Sequence, residues 1–268
     1  MKALLKSAGC SFLLALFTSC NSNQGDSTNT AVTTDFAITG SGMNATVSTS
    51  WLFPSAYALT PPPLVDANMA NVDLYDAWIV VKKIHFFRAS DPNAIPTSAD
   101  HYEGPFFVNL LSGTPELFGQ IRLYPEGLRR VKMLLHKTNS LPAGVPAGLD
   151  GNSIYLRGQV NGHNFTYESD DTTVFQLYGA NAVYPEDGKK LLMTIRTADL
   201  FKKIDLSAIT ADTVISSTNR VNAADPCPLI FAGASNLYTC FRKGMNSEAR
   251  FGKDNGDDDL DDNETVHD

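Results

Sequence analysis

The sequence has no excess of positive charge, and this absence excludes a nucleic-acid-binding function. The 268 residues contain 21 Lys and Arg against 29 Asp and Glu, which makes a formal net charge of −8. Much of the negative charge lies in residues 251–268, which hold eight acidic residues and one lysine. The rest of the chain is close to neutral, so it has neither a basic field for nucleic acid nor an acidic field for cationic partners.

Motifs that carry well-known chemistries are also missing. The sequence has no G-x-S-x-G nucleophile elbow, no phosphate-binding P-loop, no Cys-x-x-Cys pair and no His-Glu-x-x-His zinc-protease motif. Its carboxylates show no spacing that singles out two of them as a catalytic pair. The sequence therefore predicts no catalytic residue and no cofactor, and it favours a protein that is not an enzyme.

The first apolar run is too short to span a bilayer, and its surroundings are typical of a secretory signal. Two lysines lie within the first six residues, an apolar stretch follows, and small residues lead to Cys20. The position of Cys20 resembles a bacterial lipoprotein signal, in which residues 1–19 are removed and the cysteine becomes a lipidated N-terminus. An ordinary signal peptide cleaved nearby is the alternative. The expected location is the bacterial cell envelope, with a lipid anchor in the outer membrane or at the cell surface.

Cysteine is scarce, with four residues in the whole chain. Cys10 lies in the predicted signal and Cys20 is the predicted lipidation site, which leaves Cys227 and Cys240. Two remaining cysteines in an exported protein are expected to form a disulfide. A zinc site is the alternative, but it requires two more ligands, and no histidine lies between residues 164 and 266.

Short segments rich in β-branched and aromatic residues predict a fold made mainly of strands. Residues 76–87 are apolar on both faces, as expected for a strand deep in a sheet. Asn161 and Gly162 predict a type I′ hairpin turn, with Val160 opposite His163 and Gly158 opposite Phe165. Further strands are predicted at residues 106–111, 120–124, 129–136, 154–160, 163–169, 173–178 and 191–197.

Two segments indicate helices, at residues 198–204 and at residues 236–243. The second is predicted to begin after Ser235 as the N-cap and to end at Gly244. The fold class that follows is all-β, an antiparallel β-sandwich of the immunoglobulin or transthyretin kind with one or two short helices; an open barrel is the alternative.

The predicted organisation has four parts after the signal. Residues 20–34 are polar and small and predict a flexible tether, residues 35–215 form the sandwich, residues 216–250 form a segment pinned by the disulfide, and residues 251–268 form a disordered acidic tail.

The acidic tail contains possible ligands for a metal ion. Oxygen-rich side chains are the ligands that calcium prefers, but Lys253 occupies a position where an EF-hand loop has an acidic ligand. Weak calcium binding is the most that this segment predicts. The candidate ligands are Asp254, Asp257, Asp259, Asp261 and Glu264.

The histidines are a second group of possible metal ligands or acid–base residues. A folded sheet can bring His85 together with His101 or His163. Histidines that are satisfied by local hydrogen bonds are the alternative interpretation.

Three segments of the chain carry a family resemblance. Residues 127–133 (GLRRVKM), 154–167 (IYLRGQVNGHNFTY) and 200–206 (LFKKIDL), together with the lipoprotein start, resemble a group of uncharacterised bacterial surface lipoproteins. Those proteins carry a transthyretin-like or carbohydrate-binding-like β-sandwich domain of unknown function. The resemblance covers roughly residues 70–215. It implies a fold and a location, and it implies no site residues.

Two functional interpretations follow. The first is a non-enzymatic surface lipoprotein whose sandwich binds a ligand or partner, such as a glycan or another envelope protein, through an exposed aromatic patch or a free edge strand. The second is an envelope hydrolase or a metal-binding protein, which requires a pocket where histidines and carboxylates converge.

Overall fold

The structure is a computed structural model that describes residues 32–41, 63–88, 90, 101–112, 114–123, 127–184, 189–254, 256, 260 and 265–266. Within these ranges the chain forms twelve strands and two α-helices. The strands are β1 (Val32–Ser41), β2 (Val72–Arg88), β3 (His101–Asn109), β4 (Glu116–Leu123), β5 (Leu128–Leu135), β6 (Ile154–Val160), β7 (His163–Ser169), β8 (Thr173–Val183), β9 (Lys190–Arg196), β10 (Thr213–Ile215), β11 (Ala249–Lys253) and β12 (Thr265–Val266). The helices are α1 (Thr197–Lys202) and α2 (Leu237–Ser247), and a 3-10 turn lies at Ala147–Leu149.

Two sheets make up the fold, which confirms the predicted all-β sandwich with few helices. The first sheet has the strand order β12-β11-β9-β1-β4, and the second has the order β10-β7-β6-β2-β5-β8, with β3 also paired to β2. Most strand pairs are antiparallel, as predicted. The pairs β1–β9 and β10–β7 are parallel, and each joins strands that are far enough apart in the sequence for the crossover connection that a parallel pair needs.

The hairpin of β6 and β7 confirms the predicted register at every position. Val160 lies opposite His163 and Gly158 lies opposite Phe165. Asn161 and Gly162 both have positive φ, 53° and 80°, as a type I′ turn requires. Phe165 covers the bare backbone of Gly158, and a side chain at that position would collide with its ring and with the Asp73 carbonyl.

Strand β2 has one face in the core and the other on the outer side of the second sheet. Its inward side chains, among them Ile79, Val81 and Ile84, are fully buried in the main core between the sheets. Successive side chains of a strand point to opposite faces, and irregularities at Leu74–Asp76 and Val81–Lys83 each shift this alternation by one residue. The outer face therefore carries Tyr75, Trp78, Val80, Lys83 and His85. The segment at residues 141–151 packs over part of this face, which explains why β2 is apolar on both sides.

Helix α2 differs from its predicted bounds at both ends. The side-chain oxygen of Asn236, rather than Ser235, caps the helix by accepting a hydrogen bond from the Thr239 backbone N–H at 2.9 Å. Gly244 lies inside the helix and does not end it. A β-carbon there would collide with the side chains of Leu200 and Ile230, so this glycine allows close packing of α2 on its neighbours.

The C-terminal segment at residues 216–250 belongs to the same core as the sandwich. Cys227 and Cys240 form the predicted disulfide, and both are fully buried. The ring of Phe241 in α2 lies 4.9 Å from that of Tyr167 and 5.7 Å from that of Phe201. Helix α2 therefore covers the inner face of β7 as a structural part of the sandwich.

Two predicted flexible segments are partly ordered. The tether was expected to extend to residue 34, but β1 begins at Val32 and pairs with β4 and β9. Residues 20–31 lie outside the described residues. The prediction of a disordered tail is wrong for its described residues, because β11 pairs with β9 and with β12.

Cations of β9 explain the order of the tail. The Lys190 ammonium lies 3.3 Å from the buried Asp254 carboxylate, and the Arg196 guanidinium donates to the Leu260 carbonyl at 2.9 Å. Leu260 itself is buried against Ala37 and Leu192. Local composition predicted repulsion within the tail, whereas the fold supplies opposite charge and an apolar contact from other strands.

Candidate functional site

The predicted site residues fall in different places. Cys227 and Cys240 are the disulfide, while Cys20 lies outside the described residues. Of the five calcium candidates, Asp254 is described; it pairs with Lys190 and accepts a hydrogen bond from the Gly256 N–H at 2.9 Å. The remaining four, Asp257, Asp259, Asp261 and Glu264, lie outside the described residues.

The outer face of the second sheet presents an exposed aromatic ring beside an ion pair. Tyr75 is 48% exposed, and the Arg157 guanidinium lies 5.8 Å from the centre of its ring. The Nε of Arg157 donates to Asp76 Oδ2 at 2.7 Å, which fixes the guanidinium and raises the pKa of Arg157. Tyr75 and Arg157 thus form a preorganised surface with one apolar plane and several polar edges.

A polar cleft continues this surface towards the β6–β7 turn. Asp73 and Gln159 lie opposite each other, each two residues from Tyr75 and Arg157 respectively and therefore on the same face. The cleft has a volume of about 280 Å³ and is lined by Asn71, Asp73, Gln159, Val160, Asn161 and Gly162. We call the surface formed by Tyr75, Asp76, Arg157, Asp73 and Gln159 the Tyr75 face.

A second group of aromatic residues lies further along the same outer face, covered by the chain itself. Tyr155 is 8% exposed and packs with Val80 and Leu149, and Trp78 and Phe107 border this cluster. Gly148 approaches the Tyr155 ring so closely that a β-carbon would collide with it. Burial of the phenol raises the pKa of Tyr155. These rings stabilise the covering segment and leave Tyr75 as the accessible aromatic side chain here.

Of the two histidine pairings that the sequence allowed, the structure forms one. His85 and His101 lie opposite each other on β2 and β3, with their ring centres 5.7 Å apart. His163 lies at the hairpin turn, opposite Val160. No group of three or more His, Cys, Asp or Glu among the described residues has an arrangement that holds a metal ion.

Sequence reasoning identified none of the residues of the Tyr75 face. Tyr75 precedes the predicted strand at residues 76–87, and a bulge between Leu74 and Asp76 in the pairing with β6 sets which face each side chain takes. The one local signal was the predicted hairpin register with Gly158 opposite Phe165, from which strand alternation puts the neighbouring Arg157 and Gln159 on the face away from Phe165. The partners of these two residues on β2 depend on a pairing between distant parts of the chain.

No helix within the described ranges is long and apolar enough to cross a membrane. Comparison of the chain with models of known protein families, with curated proteins and with solved structures finds no match.

Proposed function

We propose that the protein is a non-enzymatic, lipid-anchored component of the bacterial cell envelope that binds a glycan on the Tyr75 face. The observation that carries the proposal is the half-exposed Tyr75 ring beside the Asp76–Arg157 pair and the amide-lined cleft. A flat aromatic side chain with convergent polar groups is a common arrangement in ligand sites.

A sugar has two kinds of chemical group that fit this arrangement. One side of a pyranose ring presents C–H groups, which pack against an aromatic plane such as Tyr75. Its hydroxyl groups both donate and accept hydrogen bonds, which suits a surface that mixes carboxylate, amide and guanidinium groups. Because the ion pair with Asp76 already holds Arg157, little conformational entropy is lost when a ligand binds.

The anchoring part of the proposal rests on the sequence pattern that ends at Cys20 and on the resemblance to surface lipoproteins. The first strand begins at Val32, so about a dozen residues separate the proposed anchor from the fold. A flexible segment of that length has an end-to-end distance on the order of 20 Å.

Lipidation is tested by mass spectrometry of the intact protein extracted from membranes. We expect the mature chain to begin at Cys20 and to carry the mass of a diacylglycerol and an acyl chain. An unmodified Cys20 in protein released into solution contradicts the anchor. It leaves the proposed glycan site untouched, because that site lies within the fold.

The glycan site is tested by replacing Tyr75 with alanine. Binding partners are first found on an array of bacterial and host glycans, and affinities are then measured by calorimetry. Tyr75→Ala is expected to weaken binding about tenfold, because the ring supplies most of the apolar contact. Tyr75→Phe keeps the plane and is expected to retain most of the affinity.

Tyr184→Ala is the matched control, since Tyr184 is an exposed tyrosine (57%) at the end of β8. It is expected to leave the affinity unchanged. Equal affinities for Tyr75→Ala, Tyr184→Ala and the wild type contradict a binding site at Tyr75. Absence of binding to every glycan on the array contradicts the glycan function itself.

A further inference from the structure

A row of nitrogen-bearing side chains crosses three strands at the other end of the outer face. In the pairing of β2 with its two neighbours, His85 lies opposite His101 on β3 and opposite Lys132 on β5. Neighbouring strands lie about 4.8 Å apart, so the three positions span about 10 Å. We call His101, His85 and Lys132 the histidine row.

Further cations flank the histidine row. Lys83 lies two residues before His85 on the same strand, and Arg130 lies two residues before Lys132. The inward neighbours Ile84, Val131 and Met133 are fully buried, which places the flanking cations on the outer face with the row. Permanent cations on β2 and β5 thus face the same patch of surface as the histidines of β2 and β3.

Among the charged neighbours that affect the pKa of His85, Glu103 is the one carboxylate. Glu103 Oε2 lies 3.9 Å from His101 Nε2, and its Oε1 lies 3.9 Å from Lys83 Nζ. Both distances are at the outer limit of an ion pair, and the Glu103 side chain is 63% exposed. Solvent screens such contacts strongly, so they are weak. Lys83, Arg130 and Lys132 outnumber this one carboxylate, so these groups together have a net positive charge.

Two buried nitrogens in this patch have no hydrogen-bond partner among the described residues. They are Nδ1 of His85 and Nε of Arg130. The Arg130 guanidinium is held in place because its carbon lies 3.6 Å from the centre of the Phe87 ring. Buried polar atoms are normally hydrogen-bonded, and each such exception has a functional or structural cause.

We propose that the histidine row, flanked by Lys83 and Arg130, binds a phosphate-bearing anion and binds it more tightly at acidic pH. Like charges on directly opposed strand positions are destabilising, and an anion placed among them removes that cost. The site is separate from the Tyr75 face and does not depend on glycan binding.

Phosphate suits the site better than a carboxylate does. A phosphate group offers several acceptor oxygens and up to two negative charges, whereas a carboxylate offers two oxygens and one charge. Donors on three strands require an acceptor that extends in several directions. A diphosphate carries acceptor oxygens on two linked phosphate groups, so it can accept hydrogen bonds from more than one strand.

The pH dependence follows from the neighbours of His85. Burial and the charges of Lys83, His101 and Lys132 lower the pKa of His85 from 6.5, against a smaller opposing effect of Glu103. His85 is therefore harder to protonate in the free protein than an ordinary histidine is. A bound anion favours the protonated ring, so protonation of His85 adds to the affinity as the pH falls.

The test is calorimetric titration of the full-length protein in a non-ionic detergent with inorganic pyrophosphate. Measurements are made at about pH 5.5 and about pH 7.5 at one fixed ionic strength, because salt screens these charges. Pyrophosphate itself takes up a proton between these two pH values, so the wild type is compared with His85→Gln at each pH. The ratio of the wild-type affinity to the His85→Gln affinity is expected to be about tenfold larger at the lower pH, as expected for one added charge-assisted hydrogen bond.

Lys132→Gln is expected to weaken binding about tenfold at both pH values, since it removes a permanent charge. Lys189→Gln removes an exposed lysine next to β9 in the other sheet and is the matched control. For a readout that needs no variant, pyrophosphate is expected to protect His85 and His101 of the wild type from modification by diethyl pyrocarbonate.

A parallel titration with dihexanoyl phosphatidylglycerol, which is soluble, distinguishes a lipid headgroup from a free phosphate compound as the natural source. Tighter binding of the short-chain lipid than of pyrophosphate indicates the headgroup. The proposal is overturned if neither compound binds at millimolar concentration. It is also overturned if His85→Gln has the same pH dependence as the wild type, or if Lys132→Gln binds as tightly as Lys189→Gln.

Discussion

Replacing Phe241 with alanine is expected to lower the free energy of unfolding by about 3–5 kcal/mol, the usual cost of removing a buried phenylalanine ring. Phe241 is fully buried, and its ring lies 6.3 Å from that of Phe165 and 4.9 Å from that of Tyr167. Both partners lie on the inner face of β7. The truncation therefore opens a cavity between helix α2 and the second sheet.

Phe231→Ala is the matched control, because it truncates the same kind of side chain within the same C-terminal segment. Phe231 is 46% exposed, so its loss is expected to change the free energy of unfolding much less. Urea unfolding is followed by both far-UV circular dichroism and tryptophan fluorescence. If Phe241→Ala lowers the midpoint of a helical signal but not that of the sheet, then α2 is not part of the sandwich core.

The elements that the sequence predicted correctly are those specified by neighbouring residues. The β6–β7 hairpin depends on a two-residue turn, and Asn161 and Gly162 favour positive φ wherever they occur. The disulfide also follows from a short argument, since Cys227 and Cys240 were the only cysteines left to pair. Neither inference required knowledge of the sheet order.

The elements that the sequence missed depend on contacts between distant residues. Strand β1 begins in a polar segment and is ordered by pairing with β9, more than 150 residues later. Asp254 in the tail is held by an ion pair with Lys190. Lys190 lies outside the tail, so the composition of the tail alone does not predict this contact. Gly244 fits the local pattern of a helix end, but it lies inside α2, where a β-carbon would collide with the side chains of Leu200 and Ile230.

The candidate sites were less predictable than the fold for the same reason. A register shift between Val81 and Lys83 in the pairings of β2 determines that His85 meets both His101 and Lys132. A second shift, between Leu74 and Asp76, determines that Asp76 meets Arg157. A shift of one residue moves every later side chain to the other face, and no local sequence signal marks either position.

Removing the disulfide with the double variant Cys227→Ala/Cys240→Ala is expected to lower the free energy of unfolding by about 3 kcal/mol. The two cysteines are 13 residues apart, and closing a loop of this size restricts the unfolded chain by about that amount. Both residues are fully buried, so the two alanines also remove packing contacts. Equilibrium urea unfolding with and without a reductant measures the effect.

The wild type and the double variant act as controls for each other in that experiment. Reductant is expected to lower the midpoint of the wild type towards that of the double variant and to leave the double variant unchanged. A double variant that still responds to reductant, or a wild type as stable when reduced as when oxidised, contradicts a stabilising role for the bridge.

The order in which the reduced protein loses structure shows whether residues 216–250 unfold independently or together with the sandwich. The sequence predicted a segment pinned to the sandwich by the disulfide, and for such a segment reduction should loosen residues 225–250 first and leave the sandwich folded. In the structure Cys227, Cys240 and Phe241 belong to the same buried cluster as Phe165 and Tyr167, so we expect the helix and the β6–β7 hairpin to lose hydrogen-exchange protection together. Exchange of α2 amides alone, with full protection retained in the hairpin, would instead make the segment an independent unit.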